Sequence, residues 1–345
     1  MSTRPLGIAV IGSGRAGMIH ARNFAGGLEG ARLVAMVDPV PTAREAALRE
    51  LGLSKGFADY RQALSDPGVD AVVVVTPTAF HEGIVVAAAE AGKHVLCEKP
   101  MAMTVEECRA MIAACDRARV KLQLGFMRRY HRDFLAAKGA IEAGAIGEPV
   151  LVKSLTRGPS VPQPWMYDIA KSNGPLAEVN SHDIDALRWF AGDDFAEVYA
   201  VAGNYRCPEA RAEHPDFYDT VAMTVRFRRG AAGMIDGAQG VGYAYDARLE
   251  VLGTKGVVLV GTLQSSSVLV CGADSRIVTP AVRSWRDLFA DAYHEEDRAF
   301  VRCVLEDLPP SPSGRDGLEA VKAVNAGNRS IETGAPVKLA EEAVP

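Results

Sequence analysis

Short apolar runs alternate with amphipathic stretches through the first third of the chain. Leu6 to Ile11 and Arg32 to Val37 are mostly apolar, and Ala71 to Val75 is wholly so. Runs this short and unbroken predict parallel strands covered on both faces. Lys93 to Leu96 and Lys121 to Gly125 predict two more, with a short strand at Phe57. Between them, helix-period stretches run to Phe24, from Thr42 to Leu51, from Asp59 or Tyr60 to Asp66, through His81, and from Thr104 to Arg117. Strand–helix alternation of this kind predicts a doubly wound parallel α/β sheet, with a domain over residues 1–125.

From residue 126 the rhythm changes. Phe126 to Tyr130 leaves the sheet and enters a helix to about Ala143. Longer strand-like stretches follow: Val150 to Thr156, Phe195 to Arg206, Phe217 to Phe227, Ala231 to Asp236, Ala247 to Leu252 and Val257 to Val260. Hairpin signals at Arg228-Arg229-Gly230 and Gly253-Thr254-Lys255-Gly256 join several of them. Val221, Met223, Val225 and Phe227 share one face of a strand, and Thr220, Ala222, Thr224 and Arg226 the other. The expectation is an α+β domain over 126–345, with a large, mostly antiparallel sheet covered on one face. Helices over Trp285 to Glu306 and Arg315 to Glu332 end the chain and are expected to return to the first domain. The small, flat outer face suits sheet-on-sheet packing, so a homodimer or homotetramer is expected.

A single helix is predicted between Asn173-Gly174-Pro175 and Gly192, since proline favours a first helical position and glycine follows a last one. Within it Glu178, His182 and Asp185 stand at i, i+4 and i+7, which puts three ionisable groups on one face.

Composition narrows the classes. The chain has 345 residues, 48% of them hydrophobic, with a net charge of −5. That balance suits a globular protein of two domains and offers no basic field for nucleic acid. Cys97, Cys108, Cys115, Cys207, Cys271 and Cys303 are scattered without a CxxC pair. Free thiols in a reducing, cytoplasmic setting fit better than disulfides, and no metal site is expected. Met1 to Pro5 lacks the apolar core of a signal peptide, and no apolar run approaches the ~18 residues of a membrane span.

The chemistry starts at Gly12-Ser13-Gly14-Arg15-Ala16-Gly17, which lies between a strand and a helix. In that setting Gly12 allows a tight turn, Gly14 lets a pyrophosphate approach the backbone, and Gly17 lets the helix close on the strand. The N–H groups at Arg15 and Ala16 open the helix and suit phosphate. Asp38 ends the second strand, where a carboxylate can bind ribose hydroxyls and repel a 2′-phosphate. NAD is therefore expected ahead of NADP. Arg44, on the next helix, is the residue that weighs against that preference. Thr76, Pro77, Thr78 and His81 follow another strand end facing the same crevice. Cys97-Glu98-Lys99-Pro100 forms a turn at a third strand end, with a lysine open to desolvation and a proline constraining its backbone.

These stretches together resemble the Gfo/Idh/MocA oxidoreductase family, and more loosely its inositol dehydrogenase branch. The resemblance runs over most of the chain. It rests on Gly12-x-Gly14-x-x-Gly17, Asp38, Thr76-Pro77-Thr78 with His81, Ala91 through Pro100, His182-Asp183-Ile184-Asp185, Tyr245-Asp246, and Glu250 through Gly256. It implies that Lys99 is the active-site lysine and that His182 handles the alcohol proton. Inositol-dehydrogenase-like members carry an aspartate four residues before that histidine; Glu178 stands there in this chain. Its carboxylate reaches about 1.5 Å further, so a smaller sugar or a lactone-forming aldose competes with inositol as substrate. Thr78 replaces an asparagine common in the family.

The expected activity is therefore an NAD-dependent oxidoreductase acting on a secondary alcohol of a cyclic polyol or sugar. Lys99, His182 and Glu178 are its candidate catalytic residues. Glu98 and Arg128 join the cofactor set. Lys99, Arg128, Tyr130, Trp165, Asp168, Asn180, His182 and Tyr245 are candidate substrate contacts. Three other readings compete: a glycosidase with retained NAD, a non-catalytic dinucleotide-binding sensor, and an NADPH-dependent aldehyde or imine reductase.

Overall fold

A computed structural model describes residues 4–340. The chain divides into two compact units, one reaching Tyr130 and including Asp291–Val321, the other spanning His131–Ala290 and the chain from Lys322 onward.

The first unit is built on β1 (Leu6–Ile11), β2 (Ala31–Val37), β3 (Gly56–Phe57), β4 (Ala71–Val74), β5 (His94–Glu98) and β6 (Leu122–Gly125). All pair in parallel, in the order β3-β2-β1-β4-β5-β6. This is the dinucleotide-binding order, with the direction of strand addition reversing between β1 and β4. Every residue of β1 and β4 is buried, as unbroken apolar runs require. The intervening helices are α1 (Arg15–Ala25), α2 (Pro41–Leu51), α3 (Tyr60–Leu64), α4 (His81–Glu90) and α5 (Val105–Ala118). Thr104 and Glu107 close a capping box at the start of α5.

The second unit holds β7 (Pro149–Gly158), β8 (Phe195–Gly203), β9 (Thr220–Phe227), β10 (Ala232–Gln239), β11 (Asp246–Gly253) and β12 (Val257–Val260), plus an outlying hairpin, β13 (Val270–Cys271) with β14 (Ile277–Val278). A late strand, β15 (Val337–Lys338), completes a seven-stranded sheet ordered β12-β11-β7-β10-β9-β8-β15. Only β7 and β10 run parallel; the other neighbours are antiparallel. Along β9, buried Val221, Met223, Val225 and Phe227 alternate with exposed Ala222, Thr224 and Arg226. Helices α6 (Arg132–Glu142), α7 (Ile169–Ser172), α8 (Gly174–Glu178) and α9 (Ser181–Ala191) precede β8; α10 (Trp285–Leu288), α11 (Ala290–Leu305) and α12 (Gly314–Thr333) end the chain.

Three sequence expectations need correction. The strand read over Phe195 to Arg206 ends at Gly203, and its neighbour starts at Thr220 rather than Phe217. Between them the buried Asp219 carboxylate accepts the backbone N–H groups of Tyr205 and Arg206, which turns the chain away from the sheet. The helix read over Trp285 to Glu306 is two helices separated by Phe289, which is fully buried against Phe134 and His131.

The third concerns Glu178 and His182, which lie on different helices. α8 ends at Glu178, and Asn180 opens α9 with φ −89° and ψ 0°. Asn180 is a favoured cap residue, and its amide donates to Asp183 Oδ2 at 2.8 Å. It packs where β10 carries Gly237: a Cβ there would lie 2.2 Å from Asn180 Oδ1. This packing outweighs continuation of the helix, so the single-face argument for Glu178, His182 and Asp185 fails. His182 and Asp185 remain together on α9, both buried.

Candidate active site

The glycine loop follows β1 as its spacing requires. Gly12 has φ +107°, and a Cβ on it would sit 2.4 Å from the Val75 carbonyl oxygen. A Cβ on Gly17 would lie 2.0 Å from the Gly12 carbonyl oxygen, so α1 can close on the strand only with glycine here. At Gly14 a Cβ would meet nothing within 4 Å. That is open space over the N-terminus of α1, where Arg15 and Ala16 begin the helix and their N–H groups have no intrahelical acceptor.

Asp38 follows β2, partly buried. Its Oδ2 accepts Ser13 N at 2.9 Å and Ser13 Oγ at 2.5 Å, while Oδ1 accepts Val40 N at 2.9 Å. A carboxylate offers about four lone-pair sites, so one remains for a ribose hydroxyl and the negative charge stays beside the loop. Arg44 donates to the Asp38 main-chain oxygen at 2.7 Å. At the end of β4, Thr76 Oγ1 is buried without a hydrogen-bond partner among the described residues. An open Gly14, a helix N-terminus and a carboxylate with spare acceptor capacity fit a dinucleotide.

The Glu98-Lys99-Pro100 turn leaves β5 with a cis Lys99–Pro100 peptide. Glu98 is buried and Lys99 partly so. Glu98 Oε2 accepts Lys99 N at 3.0 Å, and Glu98 Oε1 lies 3.1 Å from His20 Nε2. His20 Nδ1 is 2.6 Å from Asp297 Oδ1, and Asn23 donates to Asp297 Oδ2 at 2.7 Å. With a proton on each ring nitrogen, His20 donates to both carboxylates. Burial alone would lower the His20 pKa, but the charge and hydrogen bond of Asp297, and then Glu98, raise it well above its usual value. Glu296, fully buried beside this group, has both carboxyl oxygens without hydrogen-bond partners among the described residues. Burial, followed by the Glu98 charge, raises its pKa well above the usual range. His20, Glu98 and Glu296 bring ligand-type atoms within 4.8 Å of one another. His20 has both nitrogens committed to carboxylates, however, so the cluster is an ion pair rather than a ligand set.

His20, Glu296 and Asp297 were not among the residues predicted from sequence. His20 stands three residues after Gly17, but Asp297 is 277 positions further along, and no local pattern links them. Arg157 and Asp236, paired on β7 and β10, were also missed. Their strand positions, read alone, signal only a polar spot on a sheet.

Several candidates from the sequence have partners within the fold. His81 is buried, with its nitrogens 2.9 Å from the Pro100 carbonyl oxygen and 2.8 Å from that of Thr76. It staples two loops together, and burial lowers its pKa. Pro77 is exposed and Thr78 buried at the start of a short 3₁₀ turn. Tyr130 donates a hydrogen bond from its hydroxyl to the Ser311 carbonyl oxygen. Asp168 caps α7 through Ala170 N at 3.1 Å and pairs with Lys171 at 2.8 Å, which lowers its pKa. Asn180 donates to Asp183 Oδ2, and the other Asp183 oxygen accepts Ser154 Oγ at 2.6 Å. Tyr245 is buried edge-on to Phe289. Arg128 is almost fully buried in the first unit, and Trp165 is 45% exposed in the second. Lys99 belongs to the first unit, and Glu178 and His182 to the second.

Two family models cover most of the chain. One, described as an oxidoreductase family with an NAD-binding Rossmann fold, matches residues 6–126; the other, its C-terminal alpha/beta domain, matches 138–339. The chain belongs to the Gfo/Idh/MocA oxidoreductase family. Among family members, a myo-inositol 2-dehydrogenase of Thermotoga maritima is 36% identical over 338 residues, covering 97% of this chain and 98% of that protein. The NAD(+)-dependent scyllo-inositol 2-dehydrogenase of Bacillus subtilis is 34% identical, over 96% and 95% of the two chains. A crystal structure of the scyllo-inositol dehydrogenase of Lactobacillus casei, with NAD(H) and scyllo-inositol bound, aligns with TM-score 0.89 and 28% identity, over 97% and 99%.

The buried carboxyl of Glu296 gives this family member a testable pH dependence. Its folded-state pKa lies above the unfolded value of about 4.5. Folding therefore retains a proton that the unfolded chain releases, and stability falls as pH rises from there to the folded-state pKa. Raised His20 acts in the same direction, its contribution being complete below about 6.5 and lost above its folded pKa. Glu296→Gln removes only the first term. Relative to the parent, it should gain stability between pH 5 and pH 8 in urea unfolding. Parallel stability profiles for the two proteins would show that Glu296 is ionised in the folded state.

Proposed function

We propose that the chain is an NAD-dependent inositol dehydrogenase that oxidises one secondary alcohol to a ketone. The observation that carries this reading is end-to-end similarity to inositol 2-dehydrogenases combined with Lys99 and His182 at the matching motifs. The aldose alternative rests on the extra methylene of Glu178, and the inositol 2-dehydrogenases similar along their whole length make inositol the better-supported substrate.

NAD, when bound, accepts the hydride from the carbinol carbon. Gly12, Gly14 and Gly17, with the N–H groups of Arg15 and Ala16, hold the pyrophosphate. Asp38 takes a ribose hydroxyl and repels a 2′-phosphate, and the Thr76 hydroxyl gains a partner from the cofactor. Lys99 donates to the alcohol oxygen and favours alkoxide-like charge. His182 takes the hydroxyl proton, a task suited to imidazole, whose ordinary pKa is near neutrality. Glu178 supports that proton transfer, and Arg128 and Trp165 contribute to cofactor or substrate binding. The motif resemblance supports Lys99 and His182, the position of the family's aspartate supports Glu178, and local geometry supports Asp38 and Gly14.

A cytoplasmic location is supported by six cysteines that are all free. None of the described helices is long and apolar enough to cross a membrane. Assembly is supported by the outer face of the second unit's sheet. Register brings Val201 beside Ala222, and Tyr199 and Met234 beside Thr224. Val201, Tyr199 and Met234 are 52%, 38% and 39% exposed. Apolar side chains on a flat sheet face suit a second copy of the same face. Light scattering should give a mass of two or four chains, and Ala222→Arg should lower it; a monomer at all concentrations removes this part of the proposal.

Absorbance of NADH is the direct test of the activity. Inositols with NAD should give a net rise, whereas a hydrolase that retains its cofactor would give none. Lys99→Ala and His182→Ala should each lower kcat by about 10²–10⁴-fold, and Glu178→Gln should lower kcat with little change in KM. Near-parental turnover in a folded Lys99→Ala protein would reduce Lys99 to a turn residue. Asp38→Ser should narrow the ratio of kcat/KM for NAD over NADP; better use of NADP by the unmodified chain would overturn the role given to Asp38.

A further inference from the structure

We propose that His20, locked by Asp297, is a positioning residue that orients Lys99 through the Glu98 carboxylate. The inference rests on the catalytic role given to Lys99 above.

Four contacts form one continuous path inside the first unit. Asn23 donates to Asp297 at 2.7 Å, Asp297 meets His20 Nδ1 at 2.6 Å, His20 Nε2 meets Glu98 Oε1 at 3.1 Å, and Lys99 N donates to Glu98 Oε2 at 3.0 Å. His20 and Asp297 are fully buried, and Glu98 is 4% exposed. Lys99 is the first residue beyond β5, so its N–H has left the strand ladder. The Glu98 side chain folds back to take that N–H and sets the direction in which the lysine departs.

The fold makes room for this arrangement. On the neighbouring strand β6 a Cβ at Gly125 would stand 2.8 Å from Glu98 Cδ and 2.9 Å from Oε2. Glycine there lets the carboxylate lie over the strand. The Tyr293 ring stands edge-on to His20 with centroids 5.4 Å apart, which limits rotation of the imidazole. Charge-assisted hydrogen bonds between buried groups are strong and directional. Without His20, Glu98 Oε1 is a buried anion lacking its partner, and the carboxylate turns toward whatever donor remains. A small displacement of a catalytic group is costly because rate depends steeply on alignment. His20 touches neither substrate nor cofactor in this scheme; it acts only through Glu98.

Two substitutions at one position separate positioning from general support. Asn reproduces the Nδ1 donor toward Asp297 and drops the link to Glu98, whereas Gln extends a donor to the Nε2 position. His20→Asn should lower kcat for inositol oxidation about tenfold, with NAD affinity by fluorescence titration changed less than twofold. His20→Gln should recover several-fold of that loss. In a Lys99→Ala background, adding His20→Asn should change kcat less than twofold, because the group it positions is gone. The same fold-loss in both backgrounds, or no loss in the parent, would overturn the proposal. Near-parental turnover of Lys99→Ala alone would instead overturn the role of Lys99, so the two failures are read separately. If His20→Asn does not fold, Asn23→Ala loosens the outer end of the path at a partly exposed residue. It should then give a loss of a few-fold that likewise disappears without Lys99; a loss that persists there overturns the inference.

Discussion

A buried carboxylate must be given partners, and in this chain Glu98 sets that requirement. It ends the strand that delivers Lys99, at a depth where an unpaired charge would cost several kcal/mol. Its two oxygens are satisfied by the N–H of the next residue and by His20. The imidazole is then held in its charged form by Asp297, and Asp297 by Asn23. Gly125 provides the space for the carboxylate. Elements from residue 20 to residue 297 thus converge on one backbone N–H. Glu296 adds a fourth ionisable group to this volume; desolvation and the neighbouring Glu98 charge favour its neutral form. With Glu296 protonated, the cluster holds one cation and two anions, a smaller electrostatic burden than three carboxylates around one imidazolium.

The first unit was legible in sequence because its signals are local. A glycine turn between a strand and a helix has few alternatives: Gly12 needs positive φ, and Gly17 needs contact with the Gly12 carbonyl. Unbroken apolar runs mark β1 and β4, and the family motif around Lys99 needs no tertiary information. The His20–Asp297 contact could not be read this way. A histidine near the first turns of α1 is an ordinary helix residue until a chain segment from beyond residue 290 folds back beside it.

The second unit was legible as a sheet and less so as a site. Period-two alternation identified β9, but the helix carrying His182 was misread. Pro175 and Gly192 frame a plausible continuous helix, and apolar periodicity does not reveal that Asn180 must pack against Gly237. Local evidence was present: Asn at a cap and Asp three positions later is the polar spacing of a helix start. Its meaning depended on Ser154, which takes the other Asp183 oxygen from a strand nearly thirty residues away.

The same physics explains why several polar residues read as substrate or cofactor contacts also hold the fold together. Asp168, Asn180 and His81 lie where helices begin or loops cross, and such places carry backbone groups without regular partners. Short polar side chains satisfy those groups before any ligand arrives. A polar residue is therefore freer to bind substrate when the neighbouring backbone is already paired. Asp38 illustrates the intermediate case: three hydrogen bonds from Ser13 and Val40 fix its carboxylate beside the glycine loop, and the acceptor capacity left over is directed by that fixation. Lys99 follows the same rule from the donor side. Glu98 satisfies its backbone N–H and so fixes the direction in which the side chain leaves the turn. Buried pairing at the turn and chemical reach at the side-chain end are thus two consequences of one carboxylate.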